Sequence, residues 1–259
     1  MEPIEAQQEP TLWYRLYRMG LLLGQVFWRL CRGKLRRAPV ADQMLMAGPK
    51  ALVPVLLVAF FGGMIFTIQT ARELTIFGAE RFVGGAFAIA FCRELAPILT
   101  ASIVSGQVGS AFAAELGTMK ITEQIDALYM LRSNPVDYLV LPRVVACCIM
   151  VPILTVFALV IGIIGGMSAA YQFYDLVPKQ FLSSVQDFLQ PEDLVTIGIK
   201  GIFFGLLVGL IGCSWGLTTT GDSQQVGRSA TSAVVTSWIG IFMLDFFLSV
   251  LIFHQSPLG

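Results

Sequence analysis

The run Phe82-Val-Gly-Gly-Ala-Phe-Ala-Ile-Ala-Phe-Cys-Arg93-Glu94-Leu-Ala-Pro97-Ile-Leu-Thr-Ala101-Ser-Ile-Val-Ser105-Gly-Gln107-Val-Gly-Ser110-Ala-Phe-Ala-Ala114 decides the fold. Apart from Arg93 and Glu94 it is uncharged, and it is long enough to cross a bilayer, which takes about 20 apolar residues in a helix. An ionisable group at bilayer depth costs roughly 2.5–3.5 kcal/mol on insertion scales, so such a group faces a cavity or a partner. The pair therefore has two readings. Its charges neutralise each other and hold helices in register, or they line a cavity and contact a polar headgroup or gate the path.

The rest of the chain repeats the pattern. Uncharged runs cover Ala51–Ala71, Leu95–Ala114, Val144–Tyr174 and Gly201–Gly221, and a fifth, Ser229–Phe253, carries only Asp245. Apolar residues make up 56% of the 259 positions and charged ones 13%, about half the charge a water-facing surface needs. The sequence thus predicts an all-α, polytopic membrane protein with five spans, at about 51–71, 82–114, 144–174, 201–221 and 229–253. Pro54, Gly62, Gly63 and Pro97 predict broken or kinked helices. Asp245 has no nearby cation in sequence and reads as a buried acid of undecided role.

Net charge is zero, but residues 11–50 hold eight of the 17 basic side chains and a single acid, Asp42. In an apolar chain this is the mark of an anionic membrane face rather than a nucleic-acid site. With the N-terminus inside, twelve basic residues fall on the inner side and four (Arg72, Arg81, Lys179, Lys200) on the outer, so the positive-inside rule favours N-in, C-out. Glu2, Glu5 and Glu9 stand where a signal or transit peptide would be basic, which argues against either. Leu12, Leu16, Met19, Leu23, Val26 and Leu30 repeat at helical spacing, with Arg15, Arg18, Gln25, Arg29 and Arg32 on another face. That pattern predicts an amphipathic helix in the interface plane.

Small residues recur at helical spacing: Gly201, Gly205, Gly209, Gly212 and Gly216 in one stripe, Ala101, Ser105, Gly109 and Ala113 in another. They predict close helix packing, within the chain or across a dimer. Gly212-Cys-Ser214-Trp-Gly216 matches a nucleophile elbow, which needs a strand–turn–helix setting and a base. Here it lies in a span, and the one histidine, His254, is near the opposite face. The five cysteines show no ligand spacing. No phosphate-binding Gly-Lys loop occurs, because Trp28 stands where Gly33-Lys34 would need glycine. Any ATP-driven work falls to a partner.

Segment 118–134 is amphipathic. Ile121, Ile125, Leu128 and Met119 or Tyr129 form its apolar side, and Lys120, Glu123, Gln124 and Asp126 its wet side, with Asn134-Pro135 as the stop. Together with Glu115 and Asp137 its acids make it suited to docking on a cytosolic protein.

Arg93-Glu-Leu-Ala-Pro97, Gly106-Gln-Val-Gly-Ser110, Ala114-Glu-Leu-Gly-Thr-Met119, Thr122-Glu-Gln-Ile-Asp-Ala-Leu128, Asn134-Pro135, Pro142-Arg143 and Leu244-Asp-Phe246 resemble the MlaE family of ABC-transporter permeases. The likeness divides the chain into an N-terminal tail and interfacial helix, 1–40, and a permease domain, 41–259. It implies a non-enzymatic homodimer in the bacterial cytoplasmic membrane that moves phospholipid or another membrane lipid. It also implies cytosolic ATPase subunits that bind ATP and magnesium, and an MCE-domain protein on the outer side. Carried over, Arg93 and Glu94 lie at the lipid cavity, and Glu115, Lys120, Glu123, Gln124, Asp126 and Arg132 belong to the coupling surface. Gln107 stands where some relatives have arginine, and the segment 222–228 is its own. The competing readings are a secondary transporter or channel independent of ATP, and an intramembrane hydrolase through Ser214.

Overall fold

The computed structural model describes residues 11–32 and 37–253. Glu2, Glu5, Glu9, Gly33, Lys34, Arg36 and His254 lie outside the described residues. Among the described residues every regular element is helical, and five stretches are long and apolar enough to span a membrane: Ala38–Ile76, Glu80–Ile121, Val136–Tyr174, Pro191–Leu217 and Ser223–Ile252. The fold is therefore all-α and multi-pass, with the spans in the predicted order.

The helices outrun the uncharged stretches. The first span comprises 39 residues and the second 42, roughly 60 Å at 1.5 Å per residue against a hydrocarbon core of about 30 Å. Counting uncharged residues finds only the part that needs an apolar solvent. A helix continues past it wherever polar side chains reach water. The expected break at Pro54 does not occur: α2 (Arg37–Ile76) is continuous through Pro49 and Pro54.

The second span instead carries its irregularity as two π-helical turns. It runs as α3 (Val83–Ala90), a π turn at Phe91–Leu95, α4 (Ala96–Val104), a π turn at Ser105–Gly109, and α5 (Ser110–Ile121). Then follow α6 (Gln124–Met130), a π turn at Val136–Val140, α7 (Leu141–Tyr174), α8 (Pro178–Phe188), α9 (Pro191–Leu217) and α10 (Ser223–Phe253). Helix α10 begins earlier than the sequence indicates. Asp222 Oδ1 accepts the backbone N–H of Gln225 at 3.2 Å, an N-cap that turns 223–228 into helix rather than loop.

The chain forms two compact units. One contains residues 11–47, 104–148 and 206–240. Its core is Ala113, Ile211, Trp215 and Ala233, with Leu16 and Met19 of α1 (Leu12–Cys31) packed against it. Of the face of α1 read as polar, Arg18, Gln25 and Arg32 are exposed, whereas Arg15 and Arg29 turn toward protein. Arg15 is buried, reaches Ser229 Oγ at 3.4 Å and lies over the Trp215 ring, and Arg29 pairs with Asp137. Of the apolar repeat, Val26 is buried and Leu16 and Met19 pack inward, while Leu12, Leu23 and Leu30 are exposed beside Trp13, Tyr17, Phe27 and Trp28. An outer face of exposed aromatic and apolar side chains suits a helix immersed at the membrane interface, where Trp and Tyr concentrate.

The glycine stripe of α9 divides between partners. Within this first unit, Gly212 approaches Gly109, and Gly216 approaches Ala113 and Leu116. A Cβ on Gly212 would sit 2.8 Å from the Gly109 carbonyl oxygen, and backbone cannot rotate aside. Gly212→Val is expected to destabilise by about 3 kcal/mol, the upper end for overpacking. Gly198→Ala, with nothing within 4 Å, should be neutral; thermal unfolding in detergent compares the two.

The other unit contains residues 48–103, 149–205 and 241–253. Here α8 packs on α3. Phe181 lies against Phe87, and Gly85 donates its N–H to Ser184 Oγ at 2.9 Å. The Tyr174 hydroxyl donates to the Ile68 carbonyl at 3.0 Å.

Candidate functional site

The second unit holds a charged cluster whose origin is local. Pro97 has no N–H, so in a regular helix the carbonyl of Arg93 loses its partner four residues on. The chain answers with the π turn at Phe91–Leu95, a distortion found frequently at functional sites. The freed Arg93 carbonyl accepts a hydrogen bond from Lys200 Nζ at 2.7 Å.

Lys200 is the hub. It is wholly buried, at 0% exposure, on α9. Its ammonium also donates to Glu94 Oε2 and Ser249 Oγ at 2.8 Å each, and lies 2.8 Å from Asp245 Oδ1. Ser249 Oγ donates in turn to Glu94 Oε1 at 3.0 Å. An ammonium has three protons, and four acceptors compete for them here. Three helical segments are tied at one point: the π turn, α9 and α10.

Arg93 has an acid partner of its own. Its Nε donates to Asp193 Oδ1 at 2.6 Å, while Asp193 Oδ2 accepts the backbone N–H of Gln190 at 3.0 Å. Asp193 therefore caps α9, with Pro191 in its first turn, and holds Arg93 at the same time. Within the network two cations, Arg93 and Lys200, meet three acids, Glu94, Asp193 and Asp245. Asp193 and Asp245 are nearly enclosed, whereas the Glu94 side chain is 38% exposed. Of these three acids Glu94 is the one open to its surroundings.

These contacts correct three sequence expectations. Adjacent helical residues point about 100° apart, so Arg93 and Glu94 reach different partners. Asp245 does have a cation, supplied by another helix. Lys200, counted with the outer loops, belongs inside the protein, which leaves three basic residues on that side. The structure brings Arg93, Glu94 and Asp245 together and adds Asp193, Lys200 and Ser249. Leu194–Ile199 before Lys200 and Gly201–Leu207 after it are uncharged, the signal that marks Lys200 as interior.

The first unit carries the second group of candidate residues. Thr122 and Glu123 separate α5 from α6, and Glu123 has φ 60°. Beyond Met130 the chain turns again at Arg132, φ 55°. Both lie in the left-handed region, uncommon for non-glycine residues, so α6 is a short helix bracketed by two sharp turns. The helix ends before Asn134-Pro135. Asn134 Oδ1 instead accepts the Val136 N–H at 3.0 Å and opens the next span.

On α6 Ile125 is buried, while Glu123, Gln124, Asp126 and Arg132 are exposed. Lys120 pairs with Asp126 at 3.2 Å. Met119 and Leu128 are half-buried, but Tyr129, Met130 and Leu131 are exposed, Met130 at 88%. Three consecutive exposed apolar side chains beside acids make a surface fit for a protein partner. Glu115, grouped with these residues, is engaged elsewhere: Arg143, buried above Phe112, donates to it at 3.0 Å. Ser214 lies mid-helix, buried, and donates to the Arg15 carbonyl at 3.2 Å. It stands on no elbow.

Five membrane-spanning helices, a buried ion network and a separate exposed helix between spans are compatible with a transporter's membrane subunit. A family model described as Permease MlaE matches residues 40–251. The chain is 50% identical over 245 residues to a probable ABC transporter permease protein of Synechocystis, covering 94% of this chain and 93% of that one. It is 44% identical over 234 residues to the chloroplastic protein Trigalactosyldiacylglycerol 1 of Arabidopsis thaliana (90% and 67% coverage). A probable ABC transporter permease protein of Rickettsia prowazekii is 36% identical over 214 residues, 83% of each chain. The chain belongs to the MlaE permease family, and its role is that of an ABC transporter permease.

Proposed function

We propose that this permease moves a membrane lipid, phospholipid or a relative of it, between membranes under the power of separate ATPase subunits. The half-exposed Glu94 carboxylate carries the reading. It is held in a distorted turn of an apolar span by Lys200 and Ser249, so a polar group is offered where an amphiphile's headgroup would need one. The Arabidopsis relative's name contains a glycolipid, which favours a lipid over a soluble solute. The ABC names of the relatives weigh against the ATP-independent alternative.

In this reading two copies of the chain act together, each presenting α6 to an ATPase subunit that binds ATP and magnesium. Lys120, Glu123, Gln124, Asp126 and Arg132 form the coupling surface, with Glu115 tying α5 to the start of α7. An MCE-domain protein meets the outer side, and the chain sits N-in, C-out in the bacterial cytoplasmic membrane. ATP binding moves α6. The second span, continuous from α5 back to the π turn, carries that movement toward Glu94.

Reconstituted with its ATPase, Glu94→Ala should lose about tenfold or more in lipid transfer, the scale of one charge-assisted contact, and remain assembled. Transfer at the parent rate would remove Glu94 from the path.

A further inference from the structure

The first unit contains a cavity of about 210 Å³ that the charged network does not touch. Arg18, Leu22 and Gln25 of α1 line one side, and Lys120, Ile125 and Tyr129 another. One water needs about 10–15 Å³ of such space, so the cavity is large enough for a tetrahedral anion with carbon attached. Its chemistry is mixed in a particular way. Two basic side chains and a phenol share it with the apolar side chains of Leu22 and Ile125.

The basic groups are not equally committed. Lys120 is already paired with the exposed Asp126 at 3.2 Å. Arg18 has no ion pair among the described residues. It lies one helical edge away from the inward stripe of Arg15, Leu22 and the half-buried Arg29, and seven residues before Gln25 on that same edge. The opposite face of α1 exposes Trp13, Tyr17, Phe27 and Trp28. A helix with that face in the interfacial layer holds Arg18 at headgroup depth.

We propose that this cavity binds the phosphate of an anionic membrane lipid, with Arg18 as its principal ligand. The guanidinium fork matches phosphate oxygens bidentately, Gln25 and Tyr129 donate to the remaining oxygens, and glycerol and the first acyl carbons rest on the apolar wall. Such a lipid bridges α1 to the α5–α6 region, so it reports the composition of the leaflet to the coupling surface. The cavity shares Lys120 and Tyr129 with the coupling surface and none of its lining residues with the charged network of the second unit.

The test uses the full-length permease with its ATPase subunits, in nanodiscs of phosphatidylglycerol or of phosphatidylcholine, extracted into detergent and exhaustively washed. Mass spectrometry counts retained lipid in the parent, Arg18→Gln, Arg18→Lys and Arg32→Gln proteins. Arg32 is a control on the same helix, stacked over Trp28 at 4.4 Å outside the cavity. Arg18→Gln should lower phosphatidylglycerol retention roughly fivefold, the effect of one basic residue at an anionic surface. Arg18→Lys should restore part of it, and Arg32→Gln and phosphatidylcholine retention should not change. Equal loss in Arg32→Gln, or no loss in Arg18→Gln, overturns the proposal. Displacement of phosphatidylglycerol by millimolar inorganic phosphate also overturns it, because the ligand is then a free anion.

Discussion

Lys200→Met is expected to abolish lipid transfer and to destabilise the permease more than any other single change in the charged network. Methionine fills much of the volume of the lysine stem but brings no charge. The Arg93 carbonyl, Glu94, Ser249 and Asp245 all lose their common donor. Removing one member of a buried ion pair costs about 3–5 kcal/mol, because the other is left uncompensated. Two carboxylates are stranded here, one of them nearly enclosed. Loss of thermal stability in detergent measures the first effect, and transfer between donor and acceptor vesicles the second.

The double variant Lys200→Met/Asp245→Asn separates a tie between helices from a working part. It removes the enclosed stranded charge and leaves Glu94, which reaches solvent. Stability should recover in large part, since a neutral pair in place of a buried ion pair is often tolerated. Transfer should stay low, because Glu94 has lost the cation that positions it. If transfer recovers together with stability, the network only holds the spans in register.

The sequence makes the solvent, the number of spans and their order legible, because all three rest on runs of uncharged residues that nothing else explains. It locates Glu94 and Asp245 for the same reason: a lone charge in such a run is visible without a partner. What it hides is pairing. Asp193 and Lys200 stand seven apart on α9, and their partners are about 100 and 106 residues away. Asp193 falls at the mouth of a span, where a polar residue causes no surprise, and Lys200, though flanked by uncharged residues, shows no partner nearby in sequence. The proline at 97 is the exception, since the carbonyl it frees at Arg93 is a local consequence. The orientation of α1 was hidden for a different reason. A basic stripe reads as a face for water until another protein surface provides Ser229, Asp137 and the Trp215 ring.

The coupling surface yields the other large effect. Glu123→Lys/Asp126→Lys should release the ATPase subunit from the permease without unfolding it. Neither residue is buried, and the one ion pair lost, Lys120–Asp126, is exposed, a kind worth at most about 1 kcal/mol. Glu123 already holds a left-handed φ of 60°, so lysine there adds no backbone cost that glutamate does not bear. At the interface the effect is different in scale. A reversed charge facing its former partner costs several kcal/mol, and two reversals lower affinity by about 100-fold or more. Met130→Asp gives an independent probe, since it breaks the apolar tip beside those acids. Co-purification of the ATPase with tagged permease, at low and high salt, reads both variants. Charge reversal should act most strongly at low salt, where exposed charges are least screened, whereas Met130→Asp should act at either. An ATPase that stays bound to both variants would move the docking surface away from α6.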